Sequence, residues 1–393
     1  MNLESSRLKA FNSFLFFITL TMYFELFIFF KDLKNIFNGG HRWITADWLI
    51  NYNFGFVRRG MFGSFFINLP HEYYNILFLI EYVLFFIYLG TLFLFFYVSY
   101  QFIGTSTLSI FLLSPVFLKF IFFNQYAGFR KEMLCITTIV LLVAYKKSDR
   151  KIFYVLSFLF YVLSVFSSEY GFMLFFPIFF LLLVRNNENV KTNIGFTIMP
   201  PLVYLILHIM NSDKYFQKSL ELCQSIKKLN PFNYSNYICE GQIHWIGLSS
   251  VETINITKSY YDMQYILYYL IMFCVGLIPL VITGWLKKNS IFFTIQSSLL
   301  ILFFVLATDW GRTLYLFYSI FYVLAITSID KNININKRLN LFIGGCFLFT
   351  NFEYWNPTSF NIFGVNTLQE FINSIFNFNN NFLSILNDIV SKI

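Results

Sequence analysis

Residues 75–100 read NILFLIEYVLFFIYLGTLFLFFYVSY, with Glu81 as the one charged side chain. A run of this length and composition fits a helix crossing a hydrocarbon core of ~30 Å, which takes about 20 apolar residues. A strand of a membrane barrel would instead alternate over about ten residues. Apolar runs of similar length recur on both sides, separated by short polar islands. The chain of 393 residues is 57% hydrophobic and only 12% charged, with mean hydropathy +0.62. Soluble domains carry about 25% charged residues, so there is too little polar surface here to cover a water-soluble fold. The expected class is all-α: one polytopic integral membrane helical bundle over residues 1–393, with about 11 transmembrane helices.

The expected spans are near 11–30 (with Glu25), 75–100, 104–123 (with Lys119), up to 145, two short spans within 152–184 broken at SSEYG (167–171), then 193–211, 261–285, 290–307, up to 328, and 339–352. Residues 353–393 are Asn-rich with amphipathic patches and are expected to lie along the membrane interface. The net charge of +8 is explained by loop lysines and arginines that set topology. It does not point to nucleic acid, since no aromatic-basic RNA motif or zinc spacing occurs. Placing the basic loops 146–151, 185–191, 287–289 and 330–338 inside puts 31–70, 124–132, 167–171, 212–260 and 309–312 outside. Cys223 and Cys239 both fall in the long polar loop 212–260; if it faces an oxidising compartment they can form a disulfide.

The outside islands collect the charged motifs. The most distinctive is DWLINYNFGFVRRGMFG (47–63), with Asp47, Arg58 and Arg59; others hold Arg130, Lys131, Glu132, Glu169, Asp309 and Arg312. Charge at membrane depth costs about 3 kcal/mol on insertion scales and is usually kept for a purpose. The guanidinium fork binds two phosphate oxygens at once. Arg58, Arg59, Arg130, Lys131 and Arg312 are therefore candidates for holding a lipid-linked diphosphate. The plainer alternative pairs each arginine with a nearby acid: Asp47 with Arg58, Glu132 with Arg130, Asp309 with Arg312. Asp47 and Glu169 are candidate general bases, and each could equally be a helix cap or an arginine partner. Trp48 and Trp310, with Asp309, adjoin these motifs and are candidates for sugar contact, although interface belts also explain the tryptophans. No His/Cys/Asp cluster has metal-site spacing, and no cofactor motif occurs.

The set DWLINYNFGFVRRGMFG, GFRKE, a Glu before an aromatic-rich stretch ending in Pro177, and DWGR resembles polytopic proteins of bacterial surface-polysaccharide clusters. They are the O-antigen or capsule repeat-unit polymerases of the Wzy type. The likeness covers scattered islands across 47–312, and GFRKE stands where Gly directly before Arg is the family pattern. The resemblance implies a glycosyltransferase with a GT-C-like helical fold in the bacterial inner membrane, working at the periplasmic face without metal. It implies undecaprenyl-diphosphate-linked repeat units as substrates, undecaprenyl diphosphate as leaving group, and a chain-length regulator protein as a further partner beside the bilayer. In the GT-C class an acid of the first outer loop is often catalytic, and Asp47 occupies such a loop. Two other readings stay open: a single-addition glycosyltransferase using a polyprenyl-phosphate sugar, and a flippase or transporter of the same lipid-linked sugar.

Overall fold

The structure, a computed structural model, describes residues 36, 39–69, 72–102, 105–117, 130–184, 190–211, 214–229, 238–259, 262–306, 309–328, 337–350 and 352. The first expected span with Glu25, Lys119, island residues 124–129 and the tail 353–393 lie outside them. Helix accounts for 85% of the structure, and no strand occurs among the described residues.

In chain order the helices are α1 (Thr45–Leu49), α2 (Gly60–Ile67), α3 (Tyr73–Phe102), α4 (Thr105–Leu113), α5 (Glu132–Ser148), α6 (Lys151–Ser167) and α7 (Phe175–Phe179). A 3-10 turn, Glu169–Leu174, separates α6 from α7, and a π-helical turn, Phe180–Val184, follows α7. Then come α8 (Val190–Asn211), α9 (Tyr215–Leu229), a second π-helical turn (Cys239–Ile243), α10 (His244–Gly247) and α11 (Ser250–Ser259). The last five are α12 (Met263–Ile282), α13 (Trp285–Lys288), α14 (Ser290–Leu306), α15 (Trp310–Ser328) and α16 (Lys337–Phe349).

Three helices are long and apolar enough to cross a membrane, by length and composition: α3 over Asn75–Ser99, α8 over Asn193–Asn211 and α12. Shorter apolar helices cover Lys151–Ser167, Glu169–Leu182, Ser290–Val305 and Trp310–Ile326. Phe86, Phe93, Ile209, Met210 and Leu270 on the three long helices are each more than half exposed. Apolar surface of that extent is foreign to a water-soluble monomer and suits lipid. The sequence-based expectation of a bare polar loop over 212–260 differs from what is found. Residues 215–229 and 239–259 are largely helical; in the first of these Tyr215, Leu222 and Ile226 recur at helical spacing and are each buried.

The chain forms two compact units. One, called here the arginine unit, comprises Phe29–Tyr88 and Phe129–Asn255. Its centre is α5, buried at every position from Glu132 to Ala144. Asp149 at positive φ closes that helix, and Lys146 and Lys147 in its last turn suit the negative end of the helix dipole. Helix α6 packs on α5, with Ser157 Oγ donating to the Thr138 carbonyl at 3.0 Å. A Cβ at Gly171 would lie 2.6 Å from the Val165 backbone. This lets the chain fold back on α6 immediately after the Ser168 cap.

The other, the tyrosine unit, comprises Met1–Ile28, Leu89–Gly128 and Ile256–Ile393. Its centre is α15, buried from Trp310 to Ile326. Tyr322 lies against Phe111 and Phe117, donates to the Gly276 carbonyl at 2.8 Å and meets Ser114 Oγ at 2.9 Å. Gly276 leaves room for the Tyr318 ring, which a Cβ there would approach to 2.4 Å.

Candidate active site

The candidate site lies in the arginine unit and starts from the segment 47–63. Helix α1 carries Asp47 and Trp48, both buried. His41 shapes the turn that leads into the helix, its Nδ1 accepting from the N–H groups of Trp43 at 3.2 Å and Ile44 at 3.3 Å. Burial, with Arg130 and Arg42 beside it, pushes this imidazole down to about 4, so it is neutral at physiological pH and can accept. The chain then turns back: Tyr52 N–H donates to Ser64 Oγ at 2.7 Å, and the Trp48 and Phe62 rings meet edge to face at 4.9 Å. The return is tight enough that a Cβ on Gly63 would sit 1.9 Å from the Ile50 carbonyl oxygen. Arg59, at φ 67, immediately precedes α2. That left-handed backbone is uncommon for any residue but glycine.

Five ionisable side chains converge here. Arg59 Nε donates to Glu169 Oε2 at 2.6 Å, and Arg58 Nη1 stands 3.8 Å from Glu169 Oε1. Asp47 Oδ1 lies 3.6 Å from Arg59 Nη1 and 3.7 Å from Lys131 Nζ, and no hydrogen bond reaches that oxygen. Lys131 Nζ also donates to the Arg59 carbonyl at 2.9 Å and sits over the Trp48 ring, 5.6 Å from its centre. The group holds three cations against two carboxylates. It is graded in depth: the side chains of Asp47 and Lys131 are buried, whereas Arg58, Arg59 and Glu169 remain 23%, 20% and 27% exposed.

Each guanidinium has a second anchor. Arg58 Nη2 donates to the carbonyls of Trp245 at 3.0 Å and Ile246 at 3.1 Å, and the group lies over the Tyr215 ring. Arg59 Nη1 donates to Gln242 Oε1. Gln242 is set by the π-helical turn, where its N–H donates to the Arg42 carbonyl at 3.1 Å. A Cβ on Gly241 would lie 2.0 Å from that same oxygen. Cys223 and Cys239 are joined in a disulfide, tying the turn to α9, which carries Tyr215. Lys218 on α9 donates to the Phe56 carbonyl at 2.9 Å and to Asn211 Oδ1 at 3.0 Å.

The electrostatics follow from this packing. Burial alone would raise the Glu169 carboxyl, but Arg59 and Arg58 outweigh it and hold the group down to about 2. Burial pushes the Lys131 ammonium down to about 8, with Asp47 resisting the fall.

The other sequence candidates are placed differently. Arg130 is buried, its Nη1 donating to the Trp43 carbonyl at 2.6 Å. Arg312 belongs to the tyrosine unit, where it pairs with Asp309 three residues earlier. Trp48 has no exposed surface, and Trp310 is closed in by Phe304, Tyr265 and Tyr269. A sugar reaches neither ring without displacing those neighbours. Gln242, Tyr215 and the Trp245 and Ile246 carbonyls were not singled out by sequence; the cysteine pair between Tyr215 and Gln242 was the available signal. No group of three or more His, Cys, Asp or Glu is placed to hold a metal among the described residues.

Comparison with family models, with curated proteins and with solved structures finds no match for this chain.

Proposed function

We propose that the chain is a membrane glycosyltransferase that joins lipid-diphosphate-linked oligosaccharides, a Wzy-type repeat-unit polymerase with undecaprenyl diphosphate as leaving group. The observation that carries this reading is the graded cluster: Arg58 and Arg59 at the accessible edge, Asp47 and Lys131 behind them, Glu169 between the guanidiniums. On this reading the periplasmic face of an inner membrane, a GT-C-like bundle of about 11 spans and a chain-length regulator as partner follow from the family resemblance in the sequence.

In the reaction, an acceptor hydroxyl of one repeat unit attacks the anomeric carbon of the growing chain. A new C–O bond forms, the bond from that carbon to the diphosphate oxygen breaks, and the electron pair leaves with the diphosphate. Arg58 and Arg59 neutralise the charge developing on the leaving group, the stage at which fixed cations contribute most. The hydroxyl proton passes to Glu169, the accessible carboxylate. Asp47 acts behind it, holding Lys131 and Arg59 in place.

The test is the polysaccharide ladder of a strain carrying Arg59→Ala. The long-chain bands are expected to vanish, a loss of at least about 100-fold for removing one donor to developing charge. A wild-type ladder with normal protein level would remove Arg59 from this role. One observation favours a second reading. Within the arginine unit Arg130 donates to the Trp43 carbonyl, which commits one candidate cation to the backbone, and a polyprenyl-monophosphate sugar donor needs fewer. A deletion strain lacking all added sugar, rather than carrying one repeat unit, would favour that single-addition enzyme.

A further inference from the structure

We propose that Glu169 is a displaceable occupant of the anion seat, giving up Arg58 and Arg59 when a diphosphate arrives and thereby becoming the base for the acceptor hydroxyl. This rests on the reading of Arg58 and Arg59 as the diphosphate-holding pair.

The argument begins with what holds each guanidinium. Arg58 is fixed by two backbone carbonyls and the Tyr215 ring. Its Nη1 is 3.8 Å from Glu169, beyond the ~2.7–2.9 Å of a charge-assisted hydrogen bond, and its buried Nε makes no hydrogen bond. Two donor groups of Arg58 are thus placed but underused. Arg59 is fixed by Gln242, by its ion pair with Asp47 and by Lys131 on its own carbonyl. Neither arginine needs Glu169 to stay where it is. Glu169 in turn is the most exposed of the five charged side chains. Its two oxygens meet the two guanidiniums much as two oxygens of a phosphate would.

The exchange has a chemical consequence. While both arginines face Glu169, its carboxyl is held down to about 2 and is a feeble proton acceptor. A diphosphate that takes over the guanidiniums neutralises the charges responsible. Burial, the largest single influence on this group, is then opposed chiefly by a backbone hydrogen bond, and the proton affinity of the carboxylate rises. The acceptor O–H bond breaks, an O–H bond forms on Glu169, and the oxygen attacks. Proton abstraction is thereby tied to the presence of a leaving group, and an empty site does not deprotonate stray hydroxyls.

The experiment measures binding of inorganic pyrophosphate and of farnesyl diphosphate to the full-length chain in detergent. Glu169→Gln removes the competing charge and is expected to bind both at least tenfold more tightly than wild type. Glu169→Asp, which keeps the charge but withdraws it by one methylene, is expected to fall between them, and keeps the test open should the Gln variant not fold. Unchanged or weaker binding by a folded variant, a gain with pyrophosphate that is absent with farnesyl diphosphate, or no binding by any form overturns the exchange. Because the readout is binding, it is independent of the ladder: the exchange can fail while polymerisation stands, and the reverse.

Discussion

The two compact units both bury polar groups in a mostly apolar chain, and they differ in how far those groups are charged. In the tyrosine unit the buried groups are chiefly hydroxyls on regular helices. Tyr322 on α15 reaches a backbone carbonyl and Ser114, and Trp285 Nε1 reaches Ser328 Oγ at 2.7 Å. Its named ion pair, Asp309–Arg312, spans one helical turn. In the arginine unit buried charges, among them Asp47, Arg130, Lys131 and Glu132, join the buried hydroxyls, and the backbone around the charged cluster is irregular. Arg59 is left-handed, Glu169 opens a 3-10 turn and Gln242 sits in a π-helical turn. Neutral groups can be satisfied by helix geometry as it comes. Charges brought together from distant segments require local departures from it, and such departures gather at functional sites.

The contrast can be broken most directly by deleting one polar group from each unit. Lys131→Met leaves Asp47 buried beside an aliphatic chain and is expected to destabilise by about 3–5 kcal/mol, the range for removing one partner of a buried pair. Tyr322→Phe removes a neutral hydroxyl and is expected to cost about 1–2 kcal/mol. Thermal unfolding of both purified variants checks the ratio, and equal losses would erase the distinction drawn here. An effect between those two is expected from reducing the Cys223–Cys239 bond. The bond closes a loop with a sequence separation of 16, for which about 3 kcal/mol is the usual loss. Melting curves with and without reductant should show that loss, and pyrophosphate binding should weaken with it, because Gln242 and Trp245 ride on the same segment.

The smallest effect is the pH response. The Lys131 ammonium lies near 8 in the folded chain, below the 10.5 of a lysine in water. As pH rises through about 8 the site loses one positive charge, and pyrophosphate affinity is expected to drop a few-fold. Lys131→Arg, charged throughout, should flatten the step. For stability the sign is opposite: between about 8 and 10.5 the unfolded chain binds more protons at this group, so its contribution to stability rises with pH. Glu169, depressed to about 2 from 4.5, contributes stability above pH 4.5 that fades as pH falls toward 2.

Much of this arrangement was legible from residue types. The run at 75–100 announced a long apolar helix, which α3 is. Asp47, Arg58, Arg59, Lys131 and Glu169 stood out as charges in an apolar chain, and they meet. Partner choice was less legible. Nearness along the chain suggested Asp47 with Arg58, yet Asp47 sits with Arg59 and Lys131. Asp309 with Arg312 matched, because three residues along one chain segment bring that pair together without help from distant packing. The roles of Gln242 and Tyr215 depend on how a segment far along the chain packs, which hydropathy and spacing do not encode. Helix in the stretch 212–260 was obscured by its polar composition, although Tyr215, Leu222 and Ile226 carried the period.

Arg58 donates to a carbonyl 188 residues further along the chain. At a translation rate of ~5–20 residues per second, a nascent polypeptide exposes the arginine pair for roughly ten to forty seconds before its acceptors leave the ribosome. The cluster is therefore among the last features of its unit to be completed during synthesis, and a product truncated before Gln242 carries the arginines without the seat that orients them.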